Sequence, residues 1–159
     1  MCGLPSAGKS EFVDALVVEF PAIVIRSQKS DDGDKNINNW YDILNETTKV
    51  LYNSDKNIIL DTCGASPKSF NEIFTMASVK SHLVVVIWVN ANKNECAKRF
   101  DGDRSIVGNY IPKIKNAVRE YQSKYKLLVV TNDGTLEELR DKARIMANKL
   151  WQMSGAKKQ

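Results

Sequence analysis

Gly3-Leu4-Pro5-Ser6-Ala7-Gly8-Lys9-Ser10 has the spacing G-x-x-x-x-G-K-[ST]. Each fixed position in that pattern suits one task on a nucleoside triphosphate such as ATP. Gly3 and Gly8 permit a tight turn whose backbone N–H groups, with those of Ser6 and Ala7, converge on phosphate oxygens. Lys9 reaches the β- and γ-phosphates, and the Ser10 hydroxyl ligates Mg²⁺. Glu11 lies in the first turn of the helix that follows, whose positive end faces the same anion.

Four further segments carry groups that fit this chemistry. Asn57-Ile58-Ile59-Leu60-Asp61-Thr62 is an apolar strand ending in a carboxylate, the form of a Walker B strand. Asp61 is therefore expected beside the Mg²⁺ that Ser10 holds. Asp31-Asp32-Gly33-Asp34-Lys35 follows an earlier strand and offers a general base for an acceptor hydroxyl. The spacing leaves Asp31, Asp32 and Asp34 open as that base. Lys98-Arg99-Phe100-Asp101-Gly102-Asp103-Arg104 reads as a cationic lid, with Arg99 and Arg104 placed to neutralise charge on transferring phosphate. Asn132, in Thr131-Asn132-Asp133-Gly134 after the last strand, is expected near the purine of the nucleotide.

The elements that must position these groups follow from periodicity. Phe12, Leu16 and Phe20 mark a helix, and Ala22–Arg26 is a short β-branched strand. Ser27–Asn36 reads as a loop. Ile37, Trp40, Tyr41, Leu44, Thr48 and Leu51 line one helix face. Trp40 and Tyr41 lie near where an acceptor enters, so they are candidates for stacking on a base as well as for the core. Ser66-Pro67 starts a helix burying Phe70, Ile73, Phe74 and Ala77, and Leu83–Val89 is the strongest strand. Lys93–Arg99 reads as helix and Phe100–Asn109 as loop, with Pro112 near the first turn of the next helix. Ile114, Val118 and Tyr121 face inward from it. Leu127–Val130 is the last strand. Thr135-x-x-Glu138 is a capping box opening a helix with Leu136, Leu139, Ala143, Met146 and Leu150 inward. Alternation of strand and helix predicts an α/β fold with a parallel sheet covered on both faces and ligands at the carboxyl ends of its strands. Only Met1 and Cys2 precede Gly3. No apolar run supplies the buried strand expected before such a loop, so the first strand is expected to be missing before Met1.

Composition sets the remaining bounds. The chain has 159 residues, 43% hydrophobic and 26% charged, which suits one core in a soluble protein. No apolar run approaches the ~20 residues of a membrane span, and a cytoplasmic protein is expected. Cys2, Cys63 and Cys96 are odd in number and lack C-x-x-C spacing, so they read as reduced thiols. His82, the one histidine, has no partner in the pattern and reads as structural. The net charge of +4 is compatible with nucleotide or nucleic-acid ligands. Residues 1–153 are expected to form one domain and residues 154–159 a flexible basic tail.

These features together resemble small P-loop kinases, and most of all the kinase domain of phage-type polynucleotide 5′-hydroxyl kinases. The resemblance rests on Cys2–Ser10, the Asp31-Asp32 pair, Leu60-Asp61-Thr62 and the block Glu95–Tyr121. It implies a three-layer P-loop kinase fold with strand order 2-3-1-4-5. It also implies ATP and Mg²⁺ on Lys9 and Ser10, Asp31 or Asp32 as general base, and Arg104 as the lid arginine. The family has Asp-x-x-Arg after its second strand. Here Asp31-x-x leads to Asp34 and Asp32-x-x to Lys35. Lys35 binds phosphate without the arginine's two-pronged fork, so the acceptor is expected to differ from a 3′-phosphorylated end. Related phage kinases act on hydroxymethylated pyrimidines in DNA. The expectation is thus transfer of the γ-phosphate to a hydroxyl of nucleic acid, either a DNA 5′-hydroxyl or a hydroxymethylated base. The alternatives are a small-molecule nucleoside, nucleotide or sugar kinase, and a non-catalytic nucleotide-dependent switch. A GTPase is disfavoured, because Asn92-Lys93-Asn94-Glu95 only approaches the N-K-x-D base-reading motif.

Overall fold

The computed structural model describes residues 1–26 and 37–155. Asp31, Asp32, Asp34 and Lys35, and the tail beyond Gly155, lie outside the described residues. The elements run α1 (Lys9–Glu19), β1 (Ala22–Arg26), α2 (Ile37–Asn53), β2 (Asn57–Asp61), α3 (Pro67–Val79), β3 (Val85–Asn90), α4 (Lys93–Arg99), α5 (Ser105–Lys124), β4 (Lys126–Thr131) and α6 (Leu136–Ser154). No helix among the described residues is long and apolar enough to cross a membrane.

All strand pairing is parallel. β1 pairs with β2 in the register Arg26↔Asp61, and β3 pairs with β4 in the register Asn90↔Thr131. The two pairs do not meet directly. Between them Met1 and Cys2 act as a two-residue strand. The Met1 ammonium donates to the Leu60 carbonyl (2.7 Å), Cys2 N–H to Ile87 O (2.8 Å) and Val89 N–H to Cys2 O (2.9 Å). The spatial order β1, β2, Met1-Cys2, β3, β4 is the expected 2-3-1-4-5. Below Met1 the facing edges of β2 and β3 border a seam, with a cavity of about 380 Å³ whose walls include Phe20, Ile58, Phe74, Val84 and Val85.

Side-chain alternation along each strand distributes the core to two faces. Ile59, Ile87, Val89 and Val130 pack with Phe12, Val13 and Leu16 of α1 and Leu139, Ala143 and Met146 of α6. On the opposite face, Val86 packs on Ile114, Val118 and Tyr121 of α5, while Ile25 meets Ile43, Phe70 and Ile73 from α2 and α3. Phe12, Val13 and Leu16 are completely buried. At roughly 1.5–3 kcal/mol for each such side chain, these three fix α1, and hence the phosphate loop at its start, against the sheet.

Several expectations need correction. The segment Phe100–Asn109 is not all loop, since α5 begins at Ser105 and Pro112 lies inside it rather than near its first turn. Val107 is buried, and that contact holds a turn that Gly108 and Asn109 disfavour by propensity. β3 starts at Val85, leaving Leu83 exposed. Leu136 and Tyr41 are exposed, not inward, while Ile43 and Thr47 are buried on α2 instead. Trp40 is half-buried, its ring edge-on to Phe70 at 4.8 Å.

Candidate phosphate-transfer site

The phosphate loop is a cradle closed by three other segments. Gly3 N–H donates to Cys63 O (3.1 Å), just beyond β2, and Ala7 N–H donates to Leu4 O (3.2 Å) across the loop. Asn132, buried after β4, donates from Nδ2 to Ala7 O (2.8 Å) and from its backbone N–H to Asn90 O (2.8 Å). Gly8 sits at φ 86° with no side-chain cap, and Ser6 also has positive φ at 56°. A Cβ at Gly8 would lie 2.3 Å from Asn132 Nδ2, and one at Gly3 would lie 2.5 Å from Val89 O. Both glycines are therefore required by close approach. The first turn of α1 leaves backbone N–H groups without intrahelical acceptors, at a helix end that favours anions.

Lys9 is folded back into this cradle. Its Nζ donates to Leu4 O (2.8 Å) and Gly3 O (3.3 Å). Burial holds its pKa below the ordinary lysine value, although Cys63 and Asp61 nearby act in the opposite sense. Ser10 is exposed at the start of α1. Asp61 is buried at the carboxyl end of β2, where Arg26 Nε donates to its Oδ2 (3.0 Å). The same guanidinium pairs with Asp14 of α1. Thr62 follows with its hydroxyl buried and, among the described residues, without a hydrogen-bond partner.

The structure thus brings Gly3, Ser6, Ala7, Gly8, Lys9, Ser10, Asp61 and Asn132 to one edge of the sheet. Arg26 was missed by sequence reading, because a strand-terminal arginine looks like any solvated cation. Only its register opposite Asp61 reveals the pair. Arg99 ends α4 and Arg104 caps α5, both exposed. Between them Asp103 accepts from Ser105 N–H (2.9 Å) and Ser105 Oγ (2.8 Å), which lowers its carboxyl pKa. Among the described residues neither arginine forms an ion pair. Asn92, in the segment that approaches N-K-x-D, caps α4 by accepting from Asn94 N–H (2.8 Å).

The donor set fits a phosphate chain with its divalent cation. Two glycine positions leave no room for side chains, a cation points into the loop, and a buried carboxylate and an unpartnered hydroxyl follow the neighbouring strand. No group of three or more His, Cys, Asp or Glu gathers as a metal site among the described residues. Mg²⁺ commonly takes one or two protein oxygens and completes its shell with phosphates and water, which suits Ser10 and Asp61.

Residues 1–128 match the family model described as an AAA domain. No curated protein matches the chain. Among solved structures, a gluconokinase from Sinorhizobium meliloti 1021 superposes with TM-score 0.66 at 11% identity, covering 94% of this chain and 90% of that one. A deoxyadenosine kinase from M. mycoides with products dCMP and dCDP superposes with TM-score 0.63 at 12% identity, covering 95% and 96%. These likenesses show the fold of small P-loop kinases. They lend no support to the finer resemblance to polynucleotide kinases.

Proposed function

The chain belongs to the AAA-domain family, and from that premise we propose that it is an ATP-dependent kinase acting on a hydroxyl of a small molecule, of the sugar or nucleoside class. The observation that carries the reading is the cradle of Gly3, Gly8 and Lys9 with Asp61 buried beside it. The choice of a small acceptor is supported by the gluconokinase and deoxyadenosine kinase that match the chain nearly end to end.

In this reading Lys9 leaves the Leu4 and Gly3 carbonyls and binds the β- and γ-phosphates. The free N–H groups of the loop and first turn of α1 hold phosphate oxygens in a fixed array, so little reorganisation remains at transfer. Ser10 and Asp61 hold Mg²⁺, which when bound neutralises charge on the β- and γ-phosphates. A carboxylate among Asp31, Asp32 and Asp34 takes the acceptor's proton. The acceptor oxygen bonds to the γ-phosphorus as the bond to the β–γ bridging oxygen breaks, and ADP leaves. Arg104, with Arg99, closes onto the transferring group, and Lys35 binds acceptor. Asn132 holds the loop that binds ATP.

A hydroxyl on DNA is the second reading. The exposed Tyr41 ring favours it, since a free ring on α2 is available to stack on a base. Labelled ATP offered with gluconate, deoxynucleosides and 5′-hydroxyl oligonucleotides separates the two. Label in a sugar or nucleoside is the expected result. Label only in oligonucleotides selects the second reading. ATP binding without transfer to any acceptor selects a non-catalytic switch.

A further inference from the structure

Among the described residues, Arg26 is the one cation whose side chain hydrogen-bonds the candidate metal carboxylate, Asp61. It stands opposite Asp61 in the parallel register of β1 and β2, so both side chains emerge at the same sheet edge. Its Nε donates to Asp61 Oδ2, and its terminal nitrogen pairs with Asp14 on the second turn of α1. The Asp61 side chain is 3% exposed, whereas that of Arg26 is 44% exposed. The pair therefore has a buried end and a solvated end.

One planar guanidinium held by carboxylates from two elements has little freedom. It fixes the plane of the Asp61 carboxylate and occupies Oδ2. Among the described residues no hydrogen bond goes to Oδ1. The same group ties β2 to α1, the helix that begins with Lys9 and Ser10. The two protein oxygens expected to face Mg²⁺ thus belong to elements clasped together by Arg26. Lysine has one donor centre and cannot reproduce this two-sided fork.

We infer that Arg26 is a positioning residue for the divalent cation. By anchoring Oδ2 it presents Oδ1 of Asp61 toward Ser10, and through Asp14 it holds Ser10 at the matching distance. This rests on the kinase reading above and adds to it a residue that touches neither nucleotide nor acceptor.

The test titrates Mn²⁺ into the full chain with a non-hydrolysable ATP analogue present, following bound Mn²⁺ by electron paramagnetic resonance. Arg26→Ala should weaken Mn²⁺ binding about 10–100-fold, the usual cost of removing a group that orients a metal ligand. Analogue binding without metal should stay near wild type. Arg26→Lys should recover part of the loss, and it carries the comparison alone if Arg26→Ala does not fold. Mn²⁺ binding by the variants equal to or tighter than wild type overturns the inference and leaves the kinase reading standing. Wild-type protein that binds neither analogue nor Mn²⁺ overturns both.

Discussion

Lys9 and Arg104 are assigned the same kind of work on phosphate, yet they are held in opposite ways. Lys9 lies inside its loop, donating to two carbonyls, and the loop itself is pinned from Cys63 and Asn132. Arg104 is exposed at the start of α5, and the lid around it is organised by bonds from Ser105 to Asp103, two residues away. The loop has its geometry before ligand arrives. The Arg104 side chain is exposed and forms no ion pair among the described residues, so in the proposed reading it would gain its geometry from the ligand. Preorganised charge acts at full strength in the transition state, whereas charge on an exposed side chain without a partner loses part of its effect to ordering.

The largest expected effect comes from the preorganised side. Lys9→Ala should lower turnover by on the order of 10²–10³ with the fold intact by circular dichroism, since a positioned charge is removed from the transferring group. An active Lys9→Ala enzyme breaks the comparison at its root.

Asn132→Ala probes the clasp instead of the cation. Leaving the Ala7 carbonyl without its donor should cost about 1–3 kcal/mol of stability, seen in chemical denaturation. The KM for ATP should rise. Unchanged stability together with a changed ATP/GTP preference would favour the purine contact expected from sequence.

Arg104→Ala should reduce kcat by about tenfold, the worth of one charge-assisted hydrogen bond, without changing stability, and Arg99→Ala should reduce it less. If Arg104→Ala matches Lys9→Ala in turnover, the lid is as preorganised as the loop and the contrast fails.

The smallest effect sharpens the packing side of the contrast. Burial pushes the Cys2 thiol up to about 11, and Cys63 is only half-buried next to the loop. Iodoacetamide at about pH 8 should therefore label Cys63 well before Cys2, because the thiolate is the reactive form. Equal labelling, read by mass spectrometry, would mean that the loop opens freely.

The regular parts of this fold were legible because they obey local rules. Ala22–Arg26 and Lys93–Arg99 have the observed limits, and Thr135 with Glu138 forms both bonds of its capping box. The phosphate loop was legible because eight contiguous residues state it. What was hidden depends on contacts between distant segments. The Asn132 clasp on Ala7 spans 125 residues, and the Arg26–Asp61 pair exists only through strand register. Leu136 and Tyr41 fit apolar helix faces by spacing but fall beyond the edge of the packed stripe, while Thr47 is buried by returning its hydroxyl to Ile43 O at 2.6 Å.

The Asn132 clasp ties the phosphate loop to the end of β4, with 125 residues of chain between its two ends. Asn132 also donates its backbone N–H to Asn90 O at the end of β3, so one residue holds the loop and both strands of that pair. A knot of this kind opens as a unit. Amide exchange in deuterated water at Ala7 and at Asn132 should therefore run at matching rates, and Asn132→Ala should speed exchange at Ala7.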